Sequence, residues 1–122
     1  MKKKVLNILN KKNKSKIVSL TAYSKNIAKI LDSYCDIVLV GDSVANVLYG
    51  LSDTHKIKLE TILQHTQSVR KGISKSLLVV DMPKGTYNDI KTAKKNAKLV
   101  MKSTKCDAIK LESNNKNFSI IR

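Results

Sequence analysis

The stretch IVLVGDS, at residues 37–43, decides the fold because an apolar run ends abruptly there in a glycine, a carboxylate and a hydroxyl. The pattern returns as LLVVD at 77–81 and as AIKLE at 108–112. Near-continuous apolar runs are typical of strands in a parallel sheet that helices cover on both faces. Three such runs, each ending in an acid, predict a site assembled from the carboxyl ends of neighbouring strands.

Segments with helical periodicity alternate with these runs. The predicted strands cover residues 16–23, 36–40, 76–82 and 107–112. The predicted helices cover residues 24–34, 59–72 and 89–103. Ser24 is the expected N-cap of the first helix and Gly72 the expected stop of the second. Residues 41–58 and 113–117 are predicted loops, and FSIIR at 118–122 is the expected start of a further helix.

The same spacing predicts which side chains of each helix are buried. The first helix is expected to bury Ile27, Ile30, Leu31 and Tyr34. The second is expected to bury Leu59, Ile62, Leu63, Thr66 and Val69. The third is expected to bury Ile90, Ala93, Ala97, Val100 and Met101. Its lysines are expected to face water.

Two architectures fit this order: a doubly wound open sheet and part of a (β/α)8 barrel. No GxGxxG motif follows the first predicted strand, which disfavours the dinucleotide-binding form of the open sheet. The strand-end acids are about 30 to 40 residues apart, close to the roughly 31 residues per unit of a barrel of about 250 residues. The favoured fold class is therefore α/β, a (β/α)8 TIM barrel of which about the first four βα units are present. We expect a basic leader at 1–15 and the N-terminal half of the barrel domain at 16–122.

The net charge of +15 arises from 24 basic and 9 acidic residues, but only Arg70 and Arg122 are arginine. Nucleic-acid sites commonly use arginine forks and stacking aromatics, and aromatic residues make up only 4% of this chain. The lysines are spread along the chain, so a solvated surface is expected and a nucleic-acid partner is not. No apolar stretch approaches the roughly 18 residues that span a bilayer, and no signal-peptide core follows the basic start. We therefore expect a cytoplasmic protein with no membrane partner.

The three strand-end acids, Asp42, Asp81 and Glu112, are expected to converge, because neighbouring parallel strands lie about 4.8 Å apart and end at the same edge. Carboxylates gathered there repel one another unless a cation compensates. A hard divalent ion with oxygen ligands, Mg²⁺ above all, suits this set. Lys110 points the same way as Glu112, and Ser43 directly follows Asp42. Both are therefore predicted to hold an anionic ligand beside the metal.

Five segments carry a family resemblance. They are LTAYS, VLVGDSVANVLYG, HTQSVRKG, VVDMPKGTY and AIKLES. In order and spacing they resemble the N-terminal half of the ketopantoate hydroxymethyltransferase family, over about residues 16–113. The resemblance implies a barrel of the phosphoenolpyruvate/pyruvate-binding type. It also implies a homo-oligomer, which in the family is commonly a decamer.

On this resemblance, Asp42, Asp81 and Glu112 are the Mg²⁺-associated acids, and Asp42, Ser43, Asp81 and Lys110 contact the substrate. The implied reaction transfers a one-carbon hydroxymethyl unit from 5,10-methylenetetrahydrofolate to 3-methyl-2-oxobutanoate. It gives 2-dehydropantoate, for pantothenate and coenzyme A biosynthesis. A 2-oxo acid chelates Mg²⁺ through its carboxylate and keto oxygens, and the metal then stabilises the enolate that attacks the folate methylene.

The general base of the family is a glutamate from the second half of the barrel. No catalytic base is therefore expected within these 122 residues, and the chain is expected to be a fragment with little or no activity alone. His65 aligns with a family histidine and is expected to pack within its helix, and no role is assigned to His55.

Two alternatives stay open. A related Mg²⁺-dependent 2-oxo-acid lyase or mutase of the same barrel superfamily would use the metal and the oxo acid but not the folate. An inactive truncated remnant, or a basic scaffold for acidic partners, would not depend on the strand-end acids.

Overall fold

The computed structural model describes residues 3–112 and 118–121. The strands are β1 Ser19–Thr21, β2 Ile37–Val40, β3 Leu77–Asp81 and β4 Ala108–Lys110. The helices are α1 Lys3–Lys11, α2 Lys25–Leu31, α3 Val44–Val47, α4 Leu59–Arg70, α5 Ile90–Thr104 and α6 Phe118–Ile121. In this part of the chain the strands form one parallel sheet in the order β1-β2-β3-β4. The α/β class with a parallel sheet is therefore confirmed, while closure of the sheet into a barrel stays a prediction.

The two central strands, β2 and β3, are buried as their near-continuous apolar sequences require. Their fully buried side chains include Val38, Val40, Leu78 and Val80. Each such side chain stabilises the fold by about 1.5–3 kcal/mol. Helix α4 covers the sheet with the face predicted from its spacing, whose buried members are Leu59, Ile62, Thr66 and Val69, with Leu63 partly buried. The core predicted for this helix is confirmed.

Helix α5 is the longest helix of the described chain and begins at a capped residue. The side chain of Asp89, the N-cap, accepts a hydrogen bond of 2.8 Å from the backbone N–H of Thr92. Ala93 and Val100 are buried as predicted, but Ile90 is 47% exposed because it lies in the first turn, at the end of the helix.

The buried face predicted for α2 is wrong in part. Ile27, Ile30 and Tyr34 are 49%, 61% and 76% exposed, and Ala28 is fully buried instead. Helix α2 follows the edge strand β1, and its main helix contact in the described chain is with α4. Because a helix at the edge of a sheet is covered on one flank, only a narrow stripe of it is buried.

Gly72, directly after the end of α4, permits this close packing by its lack of a side chain. A Cβ built there lies 2.4 Å from the carbonyl oxygen of Lys25 and 2.8 Å from the nitrogen of Lys29, both backbone atoms of α2. Ser24 occupies the predicted N-cap of α2, but its hydroxyl makes no capping hydrogen bond. The backbone N–H of Lys25 donates instead to Oγ of Ser68 on α4, at 3.0 Å. The contact between α2 and α4 therefore explains both why position 72 is a glycine and why Ser24 does not cap α2.

The predicted basic leader contains helix α1, which lies across the amino ends of the strands. Lys4 donates to the carbonyl oxygen of Ser76, just before β3, at 2.8 Å. Lys11 donates to Oδ1 of Asp36, just before β2, at 2.5 Å. The boundary of the leader at residue 15 stays a prediction.

The predicted loop at 41–58 contains the short helix α3, which begins directly after the strand-end sequence. The predicted loop at 113–117 lies outside the described residues, and the helix expected after it is present as α6. None of the helices in the described chain is both long and apolar enough to cross a membrane.

Candidate active site

Asp81 and Lys110 face each other at the carboxyl edge of the sheet, where the β3–β4 register pairs them directly. The Lys110 ammonium lies 2.7 Å from Oδ2 of Asp81 and 3.2 Å from Oε1 of Glu112. The exposed fractions of these three side chains are 40% for Lys110, 4% for Asp81 and 70% for Glu112. One lysine therefore bridges a buried carboxylate and an exposed one. The sequence period of two predicted the side on which Lys110 and Glu112 lie.

Only one of the two carboxylate oxygens of Asp81 is hydrogen-bonded within the described chain. Its second oxygen, Oδ1, is buried and is the one such side-chain atom without a hydrogen-bond partner among the described residues. Burial raises the pKa of Asp81, the hydrogen bond from Lys110 works against that rise, and the charges of Asp42 and Glu112 add to it. The charges of two predicted acids, Asp42 and Glu112, therefore act on the third, Asp81, at this edge.

Lys110 stays charged in these surroundings. Burial lowers the pKa of its ammonium, but the hydrogen bonds to Asp81 and Glu112 outweigh burial and raise that pKa above its ordinary value. A partly exposed, fully charged lysine at the end of a strand is suited to bind an anionic ligand.

Ser43 directly follows Asp42 and precedes α3, so it lies at the carboxyl end of β2. Its Oγ lies 2.6 Å from the hydroxyl oxygen of Tyr23, which follows β1 at the same edge of the sheet. Tyr23 is buried, with 9% of its surface exposed. The hydroxyl of Ser43 is therefore held by a side chain from the neighbouring strand.

His65 on α4 contacts Tyr23 and a second tyrosine, Tyr49. Nδ1 of His65 lies 2.7 Å from the backbone carbonyl oxygen of Tyr23, and Nε2 lies 3.0 Å from the hydroxyl of Tyr49. The imidazole stands edge-on to both tyrosine rings, with centroid separations of 6.3 and 5.9 Å. His65 was predicted only to pack within its helix, and the two tyrosines were not singled out. The one sequence signal was the position of Tyr23 at the end of the first predicted strand.

Tyr87 is another residue near the site that no sequence pattern singled out. It is partly buried against the core. Burial raises its pKa, a hydrogen bond from the backbone of Glu112 lowers it, and the negative charges of Glu112 and Asp81 raise it again. Tyr87 therefore lies beside the same edge as the charged residues.

A metal ion fits part of this arrangement. The described residues hold no group of three His, Cys, Asp or Glu side chains placed to bind one ion. However, Mg²⁺ commonly takes one or two carboxylates and completes its shell with water and substrate oxygens. The buried Oδ1 of Asp81, with Asp42 close enough to raise the pKa of Asp81, suits that mode, whereas Glu112 is bonded to Lys110. The metal site of Asp42, Asp81 and Glu112 stays a prediction.

Comparison with known proteins gives a consistent result. A family model described as ketopantoate hydroxymethyltransferase matches residues 2–122. A protein named 3-methyl-2-oxobutanoate hydroxymethyltransferase from Pelagibacter ubique is 57% identical over 122 residues, which is 100% of this chain and 48% of that protein. A protein of the same name from Anaplasma marginale is 45% identical over 108 residues, 88% of this chain and 39% of its own length. One from Chelativorans is 45% identical over 116 residues, 94% of this chain and 41% of its own length.

This chain thus spans about half the length of the relatives that it matches. The family model nevertheless covers almost every residue, including each strand end described above. The resemblance predicted from five short segments is confirmed. The chain belongs to the ketopantoate hydroxymethyltransferase family.

Proposed function

We propose that this chain forms the N-terminal half of a barrel enzyme that transfers a hydroxymethyl group to 3-methyl-2-oxobutanoate. The one-carbon unit comes from 5,10-methylenetetrahydrofolate, and the product is 2-dehydropantoate, in pantothenate biosynthesis. The observation that supports this most directly is the 2.7 Å contact between Lys110 and Asp81. It supplies a cation for a carboxylate substrate, beside a buried carboxylate oxygen that has no hydrogen-bond partner in the described chain.

Asp42 and Asp81 would hold the metal, with Oδ1 of Asp81 as the oxygen that lacks another partner in the described chain. When bound there, Mg²⁺ supplies Lewis-acid stabilisation of the negative charge that develops on the keto oxygen of the substrate. The third predicted ligand, Glu112, is bonded to Lys110 and acts on the site through that lysine.

Lys110 binds the carboxylate of the oxo acid. Among the described residues, Asp81 and Glu112 take two of its three ammonium hydrogens, so a third can be donated to the substrate. Glu112 is 70% exposed and can move into water when an anionic ligand approaches, whereas Asp81 is 4% exposed and keeps its hold on the ammonium. The substrate carboxylate can therefore replace Glu112 as a partner of Lys110, while Asp81 keeps the ammonium in place.

Ser43 binds the same end of the substrate. Its hydroxyl lies at the adjoining strand end, and a hydroxyl that donates to a carboxylate makes a charge-assisted hydrogen bond. Two donors from different strands bind the carboxylate of the oxo acid and fix its direction in the site.

The decisive experiment is an assay of 2-dehydropantoate formation by the full natural chain. The mixture contains Mg²⁺, 3-methyl-2-oxobutanoate and 5,10-methylenetetrahydrofolate. We expect turnover that chelation of the metal abolishes, that Asp81→Asn abolishes, and that Glu60→Gln leaves unchanged. Glu60 is the matched control because it is an exposed acid that belongs to helix α4 and not to a strand end.

Two results would contradict the proposal. Turnover of a 2-oxo acid that does not require the folate would indicate a lyase or mutase of the same barrel superfamily. Binding to an acidic partner that weakens steeply with salt and does not depend on Asp81, with no turnover, would indicate a scaffold.

The proposal includes a homo-oligomer, which the family resemblance implies, and a cytoplasmic location, which is expected from the sequence. Analytical ultracentrifugation of the full natural chain tests the first, and cell fractionation tests the second.

A further inference from the structure

The hydrogen-bond partners of His65 determine where its ring hydrogen lies. A backbone carbonyl oxygen can only accept, so Nδ1, at 2.7 Å from the carbonyl oxygen of Tyr23, carries the hydrogen. In the neutral imidazole Nε2 is then the acceptor, and the hydroxyl of Tyr49 donates to it at 3.0 Å. One ring therefore ties the backbone beside β1 to the segment that follows α3.

The hydroxyl of Tyr23 is placed by that backbone. It lies 2.6 Å from Oγ of Ser43, a short contact between two hydroxyl oxygens. A phenol is a more acidic donor than an aliphatic alcohol, so Tyr23 donates and Ser43 accepts. The hydrogen of Ser43 then points away from Tyr23, and its donor strength rises because the oxygen already accepts a bond.

We propose that Tyr23 is a positioning residue that holds the hydroxyl of Ser43 in its substrate-binding orientation, and that His65 holds Tyr23 in place. This inference rests on the proposed function, in which Ser43 donates to the carboxylate of a 2-oxo acid. Without the phenol, the Ser43 hydroxyl rotates among its staggered rotamers and a smaller fraction of molecules is ready to bind.

The first test is Tyr23→Phe in the full natural chain, which removes the hydroxyl but keeps the buried ring. We expect KM for 3-methyl-2-oxobutanoate to rise roughly three- to tenfold, as for the loss of one hydrogen bond. We expect kcat and KM for the folate to change less than twofold, because Tyr23 affects binding of one substrate only. Circular dichroism and Tm confirm that the variant is folded. Equal changes in kcat and in both KM values would overturn the proposal.

A double-mutant cycle with Ser43→Ala tests whether Tyr23 acts through Ser43. In the Ser43→Ala background, Tyr23→Phe should raise KM for the oxo acid no further, because there is no hydroxyl left to orient. Additive effects of the two substitutions would overturn the proposal.

A pair of variants tests the role of His65. In His65→Asn the amide nitrogen lies near the place of Nδ1 and can still donate to the carbonyl of Tyr23. In His65→Gln the amide lies near the place of Nε2, and the bond to Tyr23 is lost. We expect His65→Asn to keep the KM of the unaltered protein and His65→Gln to reproduce the rise seen for Tyr23→Phe. The reverse order, or equal effects, would show that the contact from Nδ1 does not place Tyr23.

Calorimetric titration of the full natural chain with 3-methyl-2-oxobutanoate, in the presence of Mg²⁺, separates this inference from the proposed function. If the unaltered protein binds the oxo acid but does not turn it over, the proposed reaction is wrong while Kd still reports on Tyr23. A Kd that Tyr23→Phe leaves unchanged overturns the inference. An unaltered protein that neither binds nor converts the oxo acid overturns both.

Discussion

The ammonium of Lys110 lies 2.7 Å from Oδ2 of Asp81, and the two residues are direct partners in the β3–β4 register. The register therefore sets a charge pair at the edge of the sheet, with the lysine 40% exposed and the aspartate 4% exposed. The other oxygen of Asp81 has no hydrogen-bond partner in the described chain, and a buried oxygen of this kind destabilises the fold. This relationship leads to the first three predictions.

The free energy of unfolding of Asp81→Asn should rise relative to that of the unaltered protein as the pH rises. The pKa of Asp81 in the folded protein is raised, chiefly by burial. A carboxyl with a raised folded-state pKa stabilises the fold below its ordinary pKa of about 3.9, and that contribution is lost as the pH rises through the folded-state value. Lys110, whose pKa is also raised, stays charged throughout.

Urea unfolding of the metal-free protein from about pH 4 to pH 7 measures this effect. The free energy of unfolding of the unaltered protein should fall relative to that of Asp81→Asn across the range. Asp53→Asn, a loop aspartate, should show no such trend. A difference between the two proteins that does not change with pH would show that burial of Asp81 does not shift its titration.

Mg²⁺ should stabilise the unaltered protein and leave Asp81→Asn unaffected. A ligand that binds only the folded state adds about 2.7 kcal/mol to the free energy of unfolding at a hundred times its Kd. Differential scanning calorimetry with increasing Mg²⁺ measures the rise in Tm. Glu60→Gln should respond as the unaltered protein does. An equal rise in Tm for Asp81→Asn would place the ion elsewhere.

Lys110→Met should lower kcat/KM for the oxo acid by about 100-fold or more, the range seen when one charged or hydrogen-bonding group is removed from a preorganised site. Methionine keeps most of the side-chain volume, so the loss comes from the charge. Lys91→Met, on the exposed face of α5, removes the same charge elsewhere and should leave the rate unchanged. Equal losses in the two variants would mean that net charge, and not the contact with Asp81, sets the rate.

Asp32→Asn should destabilise the protein by about 1–3 kcal/mol, because it replaces one acceptor oxygen with an amide NH2 group that faces backbone N–H donors. Burial alone would raise the pKa of Asp32, but its hydrogen bonds from Ser74, Lys75 and Ser76 outweigh burial and lower that pKa. A lowered carboxyl pKa stabilises the fold above the ordinary value of about 3.9, and that stability is lost as the pH falls through the folded-state pKa.

Urea unfolding at pH 7 and at pH 3 checks the role of Asp32. The difference between Asp32→Asn and the unaltered protein should shrink at the lower pH, where Asp32 is mostly protonated in the unfolded chain. Asp53→Asn is the matched control, since Asp53 accepts one exposed backbone hydrogen bond. Its effect should be small at both pH values.

The sheet and its charged edge could be predicted because both follow from local periodicity. Apolar runs specify buried parallel strands, and a period of two places Lys110 and Glu112 on one side. The 2.7 Å contact between Lys110 and Asp81 required only that β3 and β4 be neighbours.

The hydrogen bonds around Ser43 and the exposed face of α2 could not be predicted, because they depend on contacts that periodicity does not encode. Tyr23 meets Ser43 across neighbouring strands, and His65 meets Tyr23 from a helix 42 positions away along the chain. The exposure of Ile27 and Ile30 followed from the position of α2 at the edge of the sheet, whereas helical spacing gives the apolar stripe but not its neighbours.

The close contact between α2 and α4 depends on the absence of a side chain at Gly72. Gly72→Ala should destabilise the protein by about 1–3 kcal/mol, as overpacking does. The new Cβ lies 2.4 Å from the backbone oxygen of Lys25, which has no rotamer by which to move away. Helix α2 must therefore shift.

Gly50 is the control because glycine is favoured there by the backbone conformation and not by a lack of space. Its φ is +62°, and beyond its own two chain neighbours no described residue has an atom within 4 Å of a Cβ built there. Gly50→Asn should therefore cost less than Gly50→Ala, since asparagine tolerates the left-handed region, whereas at Gly72 asparagine should be at least as harmful as alanine. Urea unfolding of the four variants measures the two patterns. A Gly72→Ala protein as stable as the unaltered one would show that α2 can move off α4 without loss, and that this contact does not hold the edge of the sheet.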